Sequence, residues 1–381
     1  MATKAAANDR GFRPIRAIGL MSGTSCDGID AAVIETDGEN VVRCGPGLTQ
    51  PYEPSFQRLL TGLMRDEGDA TAIEAELTWR HAEAVKALLA QAMLTPSDVA
   101  LVGFHGQTIR HNPKERFTWQ LGDGARLARL TGIDVINDFR AADVAAGGEG
   151  APFAPLYHAA LAGRLEPPLA VLNLGGVGNV TWIGATADTT TGDGEHGEAS
   201  LLAFDTGPAN AMIDDWCRRQ TGESYDRNGA LAASGTVDAH ALAQLMDNGY
   251  FAQKAPKSLD RNAFSASPVE RLSPADGAAT LAAFTVAAVV AALPHMPQAP
   301  KRWLVTGGGR HNPVLMQSLA RGLKVPVAPV ESVGWDGDLI EAQAFGYLAV
   351  RSLRRLPLSL PGTTGAPRPI AGGRHHRRPA A

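Results

Sequence analysis

The sequence predicts an α/β protein built from two duplicated domains, and three observations carry that expectation. Residues 17–35 read as apolar strand, glycine-rich polar turn, apolar strand. The same scheme returns at 170–184, so each half of the chain opens on a glycine hairpin, a similarity of pattern rather than of letters. With 381 residues, 44% of them hydrophobic, the chain can furnish two cores of ordinary size. The expected boundaries are a loose N-terminal tail at 1–14, a first domain at 15–155, a second at 156–356 and a disordered basic tail at 357–381.

In the first hairpin, Ile18, Leu20 and Met21 lead into the turn and Ile29, Ala31, Val33 and Ile34 lead out. The turn at 22–28 joins two glycines, which allow positive φ and close approach, to hydroxyls and successive N–H groups able to face one anion. That is the chemistry of a phosphate cradle, and Asp27 suits a magnesium ion that keeps most of its waters. A tight β-hairpin that uses glycine for geometry alone accounts for the turn equally well. A P-loop is excluded, because it needs a lysine and a following helix, and here a strand follows.

Residues 35–42 turn into a third strand and 54–64 form a helix. Over 74–93, Leu77, Ala84, Val85, Leu88, Leu89 and Ala92 recur at helical spacing, giving a helix that covers the sheet. Residues 99–104 are a short strand running into His105, Gly106, Gln107 and Thr108, and polar residues at strand ends are where open α/β sheets hold ligands. A loop histidine satisfied by backbone is the plainer account of His105. Strands at 118–122 and 134–139 flank a helix at 125–130. Residues 139–155, which include Arg140, form a glycine-rich apolar loop that lines a ligand cleft or closes a turn between domains.

The second hairpin carries Asn173, Gly175, Gly176, Gly178 and Asn179 in its turn and is expected to grip the same nucleotide from the opposite side. Residues 185–200 are polar and rich in Thr and Gly, a surface loop. A strand at 201–204 ends at Asp205 ahead of a helix at 211–219, so Asp205 is either a working carboxylate or a helix cap. Lys257 either meets a phosphate or a sugar carboxylate or is simply solvated. A strand at 303–306 ends at Gly307, Gly308 and Gly309 before a helix at 313–323, leaving bare backbone where a flat ring such as adenine can lie. Residues 338–353 form an apolar helix with Glu341 in its first turn, a position where acidic residues ordinarily serve the helix dipole.

Only 19% of residues are charged and the net charge is −4, so no basic field exists to hold nucleic acid. Cys26, Cys44 and Cys217 are odd in number and widely spaced, as reduced thiols of a cytoplasmic protein are. The start of the chain lacks the apolar stretch of a signal peptide. Residues 278–293 would span about 24 Å as a helix against a hydrocarbon core of roughly 30 Å, so they read as a helix buried between layers. The end of the chain is rich in Pro, Gly and Arg without apolar periodicity, hence the disorder expected there. Small-molecule substrates are expected, with neither nucleic acid nor membrane as partner, and a homodimer is left open.

Several blocks in order, GLMSGTSCDGID, GFHGQTIRH, DFRAADVAAGGEGAP, LNLGGVGNVT, FDTGPAN, PKS, GGGRHNP and IEAQAF, resemble the anhydro-N-acetylmuramic acid kinases, members of the sugar kinase, heat-shock ATPase and actin superfamily. The resemblance covers residues 18–353. It implies two actin-like (ribonuclease H-like) domains with mixed sheets flanked by helices, a cleft between them, and ATP and Mg2+ as cofactors. It assigns Gly23, Thr24, Ser25, Cys26, Asp27, Gly28, Ile29 and Asp30 to ATP; Gly175, Gly176 and the glycines at 307–309 are expected at the nucleotide from the reading of their own turns. Asp205 matches the catalytic aspartate and Glu341 a glutamate of the sugar site, while His105, Gln107, Thr108 and Arg140 lie in blocks bordering the sugar cleft. The family opens a 1,6-anhydro bond with water while phosphorylating O6, giving N-acetylmuramic acid 6-phosphate in peptidoglycan recycling. Asp205 would take the proton of that water. The nearest rival is an ordinary sugar or polyol kinase, in which Asp205 would deprotonate a substrate hydroxyl. A scaffold ATPase of actin or chaperone type is the second, and the polar FHGQTIRH and DFRAADVAAGG blocks count against it.

Overall fold

The computed structural model of the protein describes residues 10–23, 25–40, 42–185, 200–259 and 263–380. The opening hairpin forms where the apolar runs place it: β1 (Ile15–Ser22) and β2 (Gly28–Thr36) pair antiparallel, with Ile18 opposite Val33. Both strands are largely buried on both faces, which is why they read as nearly continuous apolar runs. β3 (Val42–Pro51) pairs antiparallel with β2. α1 (Pro54–Leu63) and α2 (Ala70–Gln91) follow, the latter starting earlier than its apolar stripe because the Asp69 side chain caps the N–H groups of Thr71 and Ala72.

β4 (Leu101–Asn112) runs parallel to β1 and is longer than expected. Its apolar half ends near Phe104, but the polar half stays extended because β5 (Phe117–Leu121) pairs with it, Gln107 opposite Leu121. His105, Gly106, Gln107 and Thr108 are therefore strand residues, not a loop beyond a strand. α3 (Gly124–Thr131) leads to β6 (Val135–Asn137), parallel to β4. The glycine-rich stretch expected as a loop contains α4 (Ala141–Ala146), and α5 (Pro155–Ala162) follows it.

The second sheet repeats the first. β7 (Leu169–Leu174), β8 (Val177–Ile183) and β9 (Leu201–Pro208) form an antiparallel meander. Then come α6 (Asn210–Thr221), α7 (Ala230–Ala233), α8 (Ala239–Met246) and α9 (Pro274–Ala291). β10 (Trp303–Thr306), α10 (Pro313–Leu323) and β11 (Val327–Pro329) complete it, β10 parallel to β7 and β11 parallel to β10. Strand order is β3-β2-β1-β4-β6 in one sheet and β9-β8-β7-β10-β11 in the other, the same path with the same senses. The duplication predicted from two hairpins is thus a duplication of mixed-sheet topology. Most of the loop expected at 185–200 lies outside the described residues, as does the start of the N-terminal tail. The stretch Pro274–His295 is long and apolar enough to cross a membrane, yet 67% of its most apolar window is buried inside the protein.

Two compact units result, but not with the expected boundaries: one is Met1–Arg164 with Leu339–Ala381, the other Leu165–Asp338. α11 (Ile340–Leu353), expected in the second domain, packs on β1 and β4 of the first unit. Two strand glycines admit it. A Cβ on Gly19 would stand 1.7 Å from the Ala342 carbonyl oxygen, and one on Gly103 would stand 2.1 Å from that of Phe345.

The tail expected to be disordered is ordered as well. α12 (Pro361–Thr364) and β12 (Arg374–His376) lie in it, and β12 pairs antiparallel with β6. Leu358, Leu360, Ala366 and Ile370 are buried. Composition misleads here because the segment makes no core of its own; it fills gaps on a finished unit and pairs its backbone with an exposed strand edge.

Candidate functional site

In the first unit the turn between β1 and β2 is fixed by a buried amide. Gln107 Nε2 donates to the Gly23 carbonyl oxygen (2.9 Å), and its Oε1 accepts from Ser22 Oγ (2.7 Å), which also lies 3.0 Å from the Tyr52 hydroxyl. The Cys26 N–H closes the turn on the same Gly23 oxygen at 3.0 Å. Gln107, expected at the border of the sugar cleft, thus spends both ends of its side chain on the glycine turn.

Residues 23–30 divide by direction. Cys26 and Ile29 are fully buried core side chains, so their part in any ligand contact is confined to backbone. Burial, and then the charge of Asp27, pushes the Cys26 thiol up to about 11, far from thiolate reactivity. Ser25 and Asp27 are exposed, the hydroxyl donating to the Asp27 carboxylate at 2.8 Å. Asp30 accepts from Thr49 Oγ1 at 2.6 Å. Gly28 serves the sheet, since a Cβ there would meet the Gln50 carbonyl oxygen at 2.6 Å, whereas at Gly23 the nearest atom is Ser25 Oγ at 3.4 Å. Thr24 lies outside the described residues.

His105, Arg140 and Glu341 are brought together in this unit from β4, the residue before α4, and the first turn of α11. Arg140 Nε donates to His105 Nε2 at 3.0 Å. Because arginine can only donate, Nε2 carries the lone pair, and Nδ1–H donates to the Gly106 carbonyl oxygen at 2.7 Å. Burial first, and then the Arg140 charge, hold the His105 pKa well below its usual value, so the ring is neutral. Arg140 is lowered to about 10 by burial, against which the charges of Glu341 and Asp143 pull upward. It keeps its charge at neutral pH. Its Nη1 donates to the Gly150 carbonyl oxygen at 2.6 Å, and the Phe345 ring lies 4.4 Å from that of His105. Thr108 accepts from Gln120 Nε2 at 3.3 Å on the neighbouring strand. His105 also lines a polar cavity of about 370 Å³ with Glu74, Trp119 and Asp123, and Arg374 and His376 of the C-terminal segment line it too.

In the second unit Asp205 lies inside β9, opposite Asn179, not at the strand's end. Nor does it cap the next helix: the N-cap of α6 is Ala209, without a side-chain bond. Asp205 Oδ2 instead accepts from the Leu259 N–H at 2.8 Å, and its carbonyl oxygen accepts from the Tyr250 hydroxyl at 2.6 Å. Lys257, read as a phosphate or sugar contact or a solvated group, is buried and donates to the Tyr250 carbonyl oxygen at 2.9 Å.

The second glycine turn and the triple glycine meet in this unit. The carbonyls of Gly175 and Gly176 accept the first N–H groups of α6, and Asn210 Nδ2 donates to the Leu174 carbonyl oxygen at 2.7 Å. Gly307 has φ +75 and no room for a Cβ, which would stand 2.3 Å from Asn173 Oδ1; at Gly309 a Cβ would stand 2.6 Å from that of Leu174. Gly308 is open, with nothing nearer than 3.8 Å. Arg310 Nη1 braces the turn from the Gly307 carbonyl oxygen (3.1 Å), while its Nε and Nη2 pair with Glu331 (2.9 Å) and Asp338 (2.8 Å). Tyr250, Leu259 and Arg310 were not singled out from sequence. Arg310 and Asn210 did have a signal, standing in the GGGRHNP and FDTGPAN blocks.

A family model described as anhydro-N-acetylmuramic acid kinase matches residues 15–376. Among curated relatives, the anhydro-N-acetylmuramic acid kinase of Rhodospirillum rubrum is 55% identical over 94% of this chain and 93% of that protein. The protein of the same description from Paramagnetospirillum magneticum is 54% identical over 94% and 99%. Among solved structures, (R)-2-hydroxyglutaryl-CoA dehydratase component A of Acidaminococcus fermentans gives a TM-score of 0.46 at 12% identity, covering 89% of this chain and 99% of that one. The ROK hexokinase of Thermus thermophilus gives 0.41 at 15%, covering 88% and 100%. These two likenesses are too weak to bear on function.

Proposed function

The chain belongs to the anhydro-N-acetylmuramic acid kinase family, and from that premise we propose that it uses ATP to open the 1,6-anhydro bond of anhydro-N-acetylmuramic acid and phosphorylate O6. The product is N-acetylmuramic acid 6-phosphate, and the setting is cytoplasmic cell-wall recycling. Water attacks the anomeric carbon and gives its proton to Asp205, the bond from that carbon to O6 breaks, and O6 takes the γ-phosphoryl group of ATP. What supports Asp205 as the base is that its carboxylate has no capping duty and is oriented by the Leu259 N–H.

Arg140 and Glu341 bind the sugar, the guanidinium matching the acid's carboxylate as a planar fork. His105, neutral and hydrogen-bonded at both nitrogens, orients Arg140. Thr108 borders the same site, and Gln107 acts on nucleotide binding through the turn it braces. The β1–β2 turn of the first unit, through the backbone of residues 23–30 and the side chains of Ser25 and Asp27, is assigned to phosphate; Gly175 and Gly176 are the nucleotide contacts assigned to the second unit's own turn. Adenine lies against Gly308, where no side chain intervenes. Mg2+ fits an exposed carboxylate beside a phosphate turn, so Asp27 would hold it through water, and the ion would neutralise phosphate charge.

The reading is tested by mass spectrometry of product formed from anhydro-N-acetylmuramic acid, ATP and magnesium in heavy-oxygen water. One heavy oxygen at the anomeric hydroxyl and a phosphate on O6 are expected. A phosphorylated product with the anhydro ring intact and no heavy oxygen would make this an ordinary sugar kinase.

A further inference from the structure

One buried carboxylate links the C-terminal segment to Arg140. Asp143, in α4, is 1% exposed. Its Oδ2 accepts the Gly150 N–H at 2.8 Å, and its Oδ1 accepts the hydroxyls of Thr364, at 2.7 Å, and of Ser359. The Gly150 carbonyl oxygen is the group that takes Arg140 Nη1. The loop between is held at two more points, by the Glu149 N–H on the Thr364 carbonyl oxygen (2.6 Å) and by His111 Nε2 on the Glu149 carbonyl oxygen (2.9 Å). It also has no slack, since a Cβ on Gly148 would stand 2.2 Å from Asp143 Oδ2.

We propose that residues 359–364 are a clasp that sets the substrate-binding arginine: Ser359 and Thr364 fix Asp143, Asp143 fixes Gly150 through its N–H, and the carbonyl of the same residue aims the Arg140 guanidinium. Asp143, Ser359 and Thr364 are positioning residues and touch no substrate. The chain of contacts is continuous, each link being a hydrogen bond to a charged or buried group, and its far end is the guanidinium whose angle decides whether a carboxylate is met by both prongs. The proposal rests on the reading of Arg140 as a sugar contact. It also gives the C-terminal segment a part in specificity that its composition conceals.

The test uses the full chain with Ser359→Ala and Thr364→Val, which remove both hydroxyls and keep the volume nearly constant, beside Thr364→Ser, which keeps both hydroxyls, and Arg140→Lys. The double variant is expected to raise KM for the anhydro sugar about tenfold, as loss of hydrogen bonds to a charged group does, with KM for ATP unchanged and Thr364→Ser close to wild type. If the double variant does not fold, Thr364→Val alone is read the same way. An unchanged sugar KM overturns the clasp, as does a loss of stability with both KM values equally affected. Arg140→Lys separates the two failures: a raised sugar KM there with no effect of the hydroxyl deletions sinks the clasp alone. No effect of Arg140→Lys sinks the reading of Arg140 and the clasp with it.

Discussion

Asp205 and asparagine differ in the one property that matters at this position. The Leu259 N–H can donate to an asparagine oxygen as it does to Oδ2, so Asp205→Asn should keep its fold and its ATP binding. It cannot accept the water's proton, and turnover should fall by roughly 10² to 10⁴. Steady-state kinetics beside a thermal midpoint check this, and near-normal ring opening would move the role to Glu341. The three glycines at 307–309 divide in the same manner. Gly308→Val should weaken ATP binding in a folded protein, because its Cβ has room. Gly309→Val should instead lose about 1–3 kcal/mol of stability to overpacking against Leu174, read from the denaturant midpoint. The sequence marks all three alike as glycine. Which is open depends on Leu174, Asn173 and Asn210, far away in the chain.

Elements were easier to read than their partners. The helix at 338–353 was legible from its apolar composition, and so were the strands it packs on, but its placement against β1 and β4 was not. Nothing local distinguishes a glycine that serves a turn from one, such as Gly19, that admits a helix backbone. Gly19→Ala should therefore be severe, exceeding the roughly 1–3 kcal/mol of ordinary overpacking, because the obstruction is a carbonyl oxygen and no side chain can swing aside. Urea unfolding of the variant checks it, and a loss under about 1 kcal/mol would mean that α11 shifts to make room. β4 teaches the complementary point. Its polar half reads as loop when hydrophobic alternation is the guide, and β5 keeps it a strand.

At the scale of the chain, the C-terminal segment belongs to the first unit, so truncation after Arg355 should cost that unit its order rather than only solubility. It would bare the β6 edge and strip two hydroxyls from Asp143. Loss of the cooperative thermal transition is the expected readout. The same unit buries three neutral histidines. Burial lowers His81 from 6.5 to about 4 and His158 from 6.5 to about 3, and burial, with the Arg140 charge, holds His105 well below its usual value. The unfolded chain takes up these protons below pH 6.5 and the native state does not. Stability is therefore full above 6.5 and falls as pH drops from 6.5 towards about 4 for His81 and about 3 for His158, levelling off below those values, by at most about 1.4 kcal/mol per pH unit per histidine. His81→Leu should flatten this slope, because His81 lies in the core against Phe104 with no partner for Nε2. Denaturant midpoints at pH 7.5 and 5 decide it; equal slopes in both proteins would refute it.

What the sequence determined by itself is what short-range physics controls. Apolar runs and helical spacing gave the strands and helices, glycines beside hydroxyls marked the turns, and two hairpins of one pattern announced the two sheets of one order. The tertiary structure alone decided the unit boundaries, the ordering of the tail, the commitment of Gln107 to the turn and the freedom of Asp205 from capping. Each of these is a contact between residues distant in the chain. A local pattern carries the propensity of a segment but not the identity of the surface that will bury it, because burial is a property of the assembled core.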